Sequence, residues 1–338
     1  MLLVIITGVS PSSIGSSTAS AIASGQPATL ILASRTASKL REVATEIKSA
    51  YPTTNVKEII IDLSSVTSIQ IAAAQIKALV SHIDILINNA GISDTHRNAL
   101  VTPNGNVVDL QFFTNHLGPF LLTELLLPEL QIAGSRSPNG DTRIVNLSSH
   151  GHVLSPIRFS DYAFSKAIYE GVAEDERPRS GLEDKWLITK DGYPGFLGYG
   201  QSKSANILHA AELSRRLRQY HTGVVAFSVH PGSIETELSR SLDDEGKKTI
   251  EGTAQGTWKT IDQGAATTLV AAFDPSLAEM QVGSEGVSGY LSDCQLADHI
   301  AAWWTKDQKI AARLWQESER MLVVTSTLQD LSTSRETL

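Results

Sequence analysis

Cysteine is almost absent from this chain. Cys294 stands alone among 338 residues, which excludes any internal disulfide and fits a reducing compartment. Long apolar runs are missing as well: nothing approaches the ~18–20 residues that span a bilayer. The run Met1–Ile6 is too short for a signal segment and leads straight into a glycine-containing turn, so it reads as a buried strand. Positive charge is not in excess. The 28 Lys and Arg against 36 Asp and Glu leave a net charge of −8 with no basic stripe, which argues against a nucleic-acid partner but leaves room for a local cationic phosphate pocket. Internal repeats and long low-complexity linkers are also lacking. These absences point to a soluble, cytoplasmic protein without a membrane span.

What is present is a 41% hydrophobic, 19% charged composition suited to a real core, arranged as short β-branched runs alternating with longer helical stretches. Strands are expected at Leu2–Thr7, Ala28–Ala33, Val56–Ile61, Ile83–Ile87, Arg143–Leu147, Gly223–Val229 and Val287–Leu291. Most are apolar at consecutive positions, as parallel strands covered on both faces are. Helices are expected over Ser16–Ser24, Ser38–Ala50, Ser65–Ser81 and Val107–Leu130. The alternation predicts an α/β fold: one doubly wound parallel sheet of about seven strands with helices on both faces. A single domain over 1–324 is expected, with a weakly held, Ser/Thr-rich tail at 325–338. Residues 150–198, rich in Gly, Pro and charge, break the rhythm and read either as a lid over the site or as a solvated decoration.

The first strand runs into Thr7-Gly8-Val9-Ser10-Pro11-Ser12-Ser13-Ile14-Gly15 and then a small-residue helix. Glycine lets the backbone turn sharply and approach a pyrophosphate, which the helix N-terminus then meets. Ser13 stands where a middle glycine is expected. The second strand ends in Ser34-Arg35, a cation where a ribose-binding acid would otherwise sit. That favours a 2′-phosphate, hence NADP(H). Asp62 closes the third strand and can accept from an adenine amine or cap the next helix.

The fourth strand delivers Asn88-Asn89-Ala90-Gly91, where small residues permit close passage of a ribose and the asparagines can stitch strand ends. The fifth places Ser148 and Ser149 at the carboxyl edge, where open α/β sheets bind ligands. Two Tyr-x-x-x-Lys pairs follow, Tyr162/Lys166 and Tyr199/Lys203. On a helix this spacing puts phenol and ammonium on one face, and the cation favours phenolate, lowering a reference pKa of ~10. The phenol can then exchange a proton with a substrate oxygen while hydride moves at carbon. Context selects Tyr199, because a long amphipathic helix leads from it directly into the strand Val224–Val229 and then His230-Pro231-Gly232. The segment after Tyr162 joins no strand, and Tyr162 reads as packing.

Taken together these pieces resemble the short-chain dehydrogenase/reductase family, in the branch of retinol dehydrogenase-like and fungal reductases. The resemblance rests on Thr7-Gly8…Ile14-Gly15, Ser34-Arg35, Asp62-Leu63, Asn88-Asn89-Ala90-Gly91 and Asn115-His116-Leu117-Gly118. It continues through Ser148-Ser149-His150, Tyr199…Asn206, His230-Pro231-Gly232, Gln263-Gly264-Ala265-Ala266 and Arg313-Leu314-Trp315, so it covers nearly the whole chain. It implies a Rossmann-type sheet with Tyr199 as general acid/base and Lys203 on the nicotinamide ribose. It further implies Ser149, ahead of Ser148, on the substrate oxygen. Asn115 would anchor a proton-relay water, or be a helix-interior polar residue bonded to backbone. Gly8, Ser10, Ser13, Ile14, Gly15, Ser34, Arg35, Asp62, Leu63, Asn89, Ala90 and Gly91 would contact the cofactor; Pro231, Gly232 and Ile234 would line the nicotinamide, with Thr236 near phosphates or carboxamide. The first strand begins at residue 1, without the lead-in or membrane anchor common among relatives, which favours a soluble location. Homo-oligomers are implied too, with the helix preceding Gly223 as an interface.

The expected activity is NADPH-dependent reduction of a carbonyl, or oxidation of an alcohol, on an apolar small molecule. Phe159, Trp186, Tyr193 and Phe196 are candidate lining, and Leu238–Thr260 a candidate second cover. An NADP(H)-binding sensor with little turnover, and a related reaction such as double-bond reduction or epimerisation on the same Tyr–Lys pair, are the alternatives.

Overall fold

A computed structural model describes residues 2–137, 140–187, 192–254 and 256–325. Its frame is a sheet of eight strands: β1 (Leu3–Thr7), β2 (Thr29–Ser34), β3 (Val56–Ile60), β4 (Ile85–Asn88), β7 (Thr142–Leu147), β8 (Val224–His230), β11 (Tyr290–Ser292) and β12 (Gln295–Leu296). Two short pairs lie outside it: β5 (Ala99–Val101) with β6 (Val107–Asp109), and β9 (Ser233–Ile234) with β10 (Trp258–Lys259). The order across the main sheet is β3-β2-β1-β4-β7-β8-β11-β12. All neighbours in it are parallel except β11 and β12. The expected doubly wound sheet is therefore found, with one short antiparallel edge strand added.

The pleat explains why the strands are apolar throughout. In β1, Leu3 and Ile5 enter one core layer while Val4 and Ile6 enter the other. Each layer is closed by helices. On one side are α3 (Val66–Leu79), α5 (Gly118–Arg136), α6 (Gly195–Gln219) and α9 (Gln308–Leu322). On the other are α1 (Ile14–Ser24), α2 (Ala37–Ala50) and α8 (Ile261–Phe273). Helix α7 (Asp244–Ala254) joins neither layer and packs Ile250 against a smaller cluster with Phe196 and Leu242. A fully buried Ile or Leu contributes about 1.5–3 kcal/mol, and the two main layers contain dozens. Helix α6 is buried along nearly its whole length to Leu217, and Gly200 lets it press against the Gly151 carbonyl, 2.8 Å from where a Cβ would stand.

Two expected elements differ. The helix over Val107–Leu130 does not start at Val107: Gly105, at φ +88°, turns the chain back so that β6 pairs with β5. Asp109 then caps α4 (Leu110–Phe112), a π-helical turn follows at Phe113–Leu117, and α5 continues. The strand expected from Val287 starts at Tyr290, because Gly289 lies at φ +68° in the preceding turn. Smaller shifts at other ends are the ordinary fraying of boundaries. Of the tail, 326–338 lie outside the described residues, as do 188–191 of the 150–198 stretch.

Candidate active site

The neighbours of β1 diverge, β2 to one side and β4 to the other, and open sheets bind ligands at the carboxyl ends of strands where the order reverses. Two hollows lie at that edge. The first runs from Arg35 past Gly8 to Tyr199 and Lys203; the second lies beyond Tyr199 under 150–198 and the 235–258 stretch. They share a wall made of Ile14, Ser148, Tyr199, Pro231, Thr236 and Leu238.

The floor of the first hollow is backbone. Gly8 has φ +73°, and a Cβ there would fall 2.5 Å from Ala90 Cα. Gly15 is equally constrained, since a Cβ would meet the Asn89 amide nitrogen at 2.6 Å. That nitrogen donates to the carbonyls of Thr7 (2.8 Å) and Gly8 (3.1 Å), while Asn88 donates to Asn146 (2.9 Å), so the two asparagines do stitch adjacent strand ends. Ser13 is the N-cap of α1 in a reciprocal capping box with Ser16, in extended backbone that any residue adopts. The left-handed position in this loop is Ser12, at φ 52°. The side chain at Ser13 thus satisfies a helix-end N–H that a glycine would leave open.

Arg35 is exposed and, among the described residues, in no ion pair. Beside it Lys39, in the first turn of α2, bonds Glu237 at 2.6 Å, and Glu237 also meets Arg240 at 3.4 Å. Asp62 Oδ1 accepts from the Ser64 N–H and hydroxyl in the turn ahead of α3, whose N-cap is Ser65 rather than Asp62, and the residue lines the hollow. Bare backbone, the N–H groups of the first turn of α1 and the Arg35 guanidinium fit a dinucleotide bearing an extra phosphate. Ser10, Ser34, Leu63, Asn89 and Gly91 line the same hollow; Gly232 and Ile234 line only the second.

At the junction, Tyr199 and Lys203 sit one turn apart on α6, the ammonium 5.5 Å from the ring centre. Ser149 lines the apolar hollow beside Tyr199, and its hydroxyl lowers the phenol's pKa, whereas Ser148 donates to the Lys203 carbonyl at 2.8 Å and is committed to the scaffold. The expected lowering of the phenol pKa is not what this site shows. Burial pushes Tyr199 up to about 12, with only the Ser149 bond opposing it. Burial likewise brings Lys203 down to about 7, its Nζ donating to the Leu147 carbonyl at 2.9 Å. The i, i+4 spacing predicts attraction alone; desolvation of both groups outweighs it.

Asn115 lies in the π-helical turn with its side chain fully used. It accepts from Ile92 N–H (2.8 Å) and donates to Ile92 O and Ser202 Oγ (each 2.9 Å). It lines neither hollow. Its amide ties the chain after β4 to Ser202 on α6, whose hydroxyl in turn bonds the Tyr199 carbonyl at 2.7 Å. The other Tyr-x-x-x-Lys pair falls apart. Tyr162 is in a turn next to Phe164 at φ 51°, donates to Glu317 at 3.3 Å and packs on Phe112, while Lys166 is exposed and reaches the Gly171 carbonyl. Without a helix, i and i+4 share no face.

The second hollow is largely apolar. Trp186 and Phe196 line it as expected; Phe159 instead lies under Arg313 (3.8 Å to the ring centre), and Tyr193 is buried on Asp109 (2.6 Å). Leu154, Leu182, Leu238, Leu242, Ile250 and Trp258 complete it, the last four from the 235–258 stretch whose base β9 and β10 close. Sequence reasoning misses Lys39, Glu237 and Arg240; the position of Lys39 in the first turn of the helix that follows Arg35 is the available signal for the first.

A family model described as short chain dehydrogenase matches residues 2–177. Mouse retinol dehydrogenase 11 is 32% identical over 325 residues, covering 93% of this chain and 84% of that protein. The short-chain dehydrogenase TIC 32 B, chloroplastic, of Brassica napus is 33% identical over 87% of this chain and 80% of its own length. Oxidoreductase fscI of Fusarium equiseti is 34% identical over 68% and 85%. Among solved structures, the Pseudomonas aeruginosa RhlG/NADP complex aligns with TM-score 0.60 at 20% identity over 86% of this chain and 94% of that one, a likeness of fold. Among the described residues no helix is long and apolar enough to cross a membrane.

Proposed function

The chain belongs to the short-chain dehydrogenase family, in its retinol dehydrogenase-like and fungal oxidoreductase branch, and from that premise we propose that it is an NADPH-dependent carbonyl reductase of apolar small molecules, with Tyr199 as the proton donor. The observation that carries this is the meeting of a backbone-floored hollow and an apolar hollow at one phenol. In the first, Gly8, Gly15, Ala90 and Gly91 would admit the dinucleotide, Arg35 and Lys39 its 2′-phosphate, and Lys203 the ribose next to the nicotinamide. The nicotinamide, when bound, supplies hydride to the carbonyl carbon. Ser149 orients the substrate oxygen against Tyr199. Tyr199 gives that oxygen its proton, so carbonyl, hydride and proton become alcohol. A phenol held at about 12 is protonated at neutral pH, the state donation requires. Reading the chain as one domain, 150–198 is the lid of the apolar hollow; a cytoplasmic location and homo-oligomerisation belong to the same proposal.

The test is consumption of NADPH across apolar aldehydes, ketones and quinones by wild type, Tyr199→Phe and Tyr162→Phe. Deuterium-labelled NADPH should place its label on an alcohol carbon. Tyr199→Phe should lose about 10²–10⁴-fold in turnover and Tyr162→Phe little. Loss confined to Tyr162→Phe, or label on a saturated carbon beside an intact carbonyl, would sink the assignment.

A further inference from the structure

Ser149 stands just past the end of β7, where the chain leaves the sheet, and its Oγ accepts from Gly151 N–H at 3.1 Å; that oxygen and the Tyr199 ring both lie against Gly151 and line the same hollow. A serine at such an exit depends on its own backbone for the direction of its hydroxyl. Its carbonyl is held twice by one residue, by the His152 N–H at 3.1 Å and the His152 Nδ1 at 2.7 Å. On the far side of the ring, Nε2 meets the backbone N–H of Ala302 at 3.1 Å. A backbone N–H only donates, so Nε2 is the acceptor and Nδ1 carries the proton. The tautomer follows from the contacts alone.

The ring is fully buried and stands edge-on to Tyr290, 4.9 Å between centres. Burial lowers its pKa to about 4, which keeps this neutral form at working pH. The anchor is firm: Ala301 and Trp304 flank Ala302 in the core, and the Trp304 indole donates to Ser204 on α6 at 3.0 Å. His152 lines neither hollow, so it touches neither cofactor nor substrate.

We propose that His152 is a positioning residue: it clamps the Ser149 carbonyl to the Ala302 amide and so fixes the serine hydroxyl against Tyr199. This rests on the reaction proposed above. A displacement of about 1 Å in a reacting group can cost about 10²-fold, and the clamp is built to prevent one. Nothing else ties the Ser149 main chain to the C-terminal part of the fold among the described hydrogen bonds.

Three variants test it, with kcat, KM, NADPH affinity, melting temperature and amide exchange at Ala302 measured for each. His152→Phe keeps an aromatic ring and the backbone bond to the Ser149 carbonyl but loses both ring-nitrogen bonds; kcat should fall about 10–100-fold with NADPH affinity unchanged, and Ala302 exchange should accelerate. In His152→Asn the amide nitrogen takes the place of Nδ1, which should restore most of kcat. In His152→Gln the amide oxygen takes the place of the accepting Nε2, which should restore Ala302 protection and little kcat. Recovery by Asn but not Gln supports positioning. Wild-type kcat in His152→Phe, or kcat falling with melting temperature alike in all three, overturns it. If wild type reduces no carbonyl, the functional reading has failed instead. Ala302 exchange then still judges the clamp: unchanged exchange in His152→Phe overturns it, accelerated exchange upholds it.

Discussion

The hollow beside Arg35 and the hollow beside Trp186 share Tyr199 as a wall but are made of different material. The first is built from strand ends and helix starts: Gly8 after β1, Arg35 after β2, Asp62 after β3 and Asn89 after β4. Its shape follows from the sheet, and its close approaches leave no room for a Cβ. The second touches the main sheet only where β7 and β8 end, at Ser148, Ser149 and His230, and takes most of its side-chain walls from two stretches outside it. Backbone recognises what every member of a family binds; side chains on irregular segments are free to change with the substrate.

The largest effects should come at the seam, where the two hollows cannot be separated. Lys203→Met removes a buried amine that bonds the Leu147 carbonyl and should lower kcat/KM about 10³-fold, with NADPH affinity reduced as well. A Lys203→Met enzyme with normal cofactor affinity would break the placement of this residue in the first hollow.

Next come changes that should act on one hollow alone. Arg35→Ser, with Lys39→Ser as its companion, should weaken NADPH binding about 10–100-fold and leave NADH binding almost unchanged, the loss expected for a charge-assisted phosphate contact. Equal losses for both cofactors would show that these cations serve something other than a 2′-phosphate. On the other side, Trp186→Ala or Leu242→Ala should raise the KM of an apolar carbonyl about 10-fold without altering NADPH affinity. Substrate KM that ignores both substitutions would move the substrate elsewhere.

The same difference governs how much of the molecule is legible in its sequence. Consecutive apolar residues such as Leu3-Val4-Ile5-Ile6 require a strand covered on both faces, and that periodicity is local. The glycines and asparagines of the first hollow are legible because they act through backbone. Ser13 departs from the glycine pattern without backbone strain, because the left-handed position of the loop is Ser12. The second hollow is half legible: Trp186 and Phe196 line it, but Phe159 is claimed by Arg313 and Tyr193 by Asp109, partners 154 and 84 residues away. Glu237 and Lys39 meet across 198 residues. The direction of the phenol's shift escapes the sequence for a related reason, since burial of Tyr199 and Lys203 belongs to the packed fold and not to their spacing.

The smallest effect isolates the anchor of the apolar hollow. Asp109 is buried at the start of α4, accepting from Gln111 N–H at 3.0 Å and from the Tyr193 hydroxyl at 2.6 Å, so it pins the strand edge to the chain just ahead of α6. Burial raises its pKa to about 7, against the lowering by those two bonds. An acid whose folded pKa exceeds its unfolded value of ~3.9 binds an extra proton when folded. Its contribution to stability is thus greatest below the unfolded value and is lost as pH rises to about 7. His152, His209 and His230 act oppositely: burial lowers all three, so their share is lost as pH falls below the unfolded ~6.5. Wild-type melting temperature against pH therefore mixes two opposed slopes, and the difference from Asp109→Asn separates them. That difference should favour wild type near about pH 5 and shrink or reverse near about pH 8, by a few degrees. A difference independent of pH would mean that Asp109 is ionised throughout, and that its bond to Tyr193 is an ordinary charged hydrogen bond rather than a protonated one.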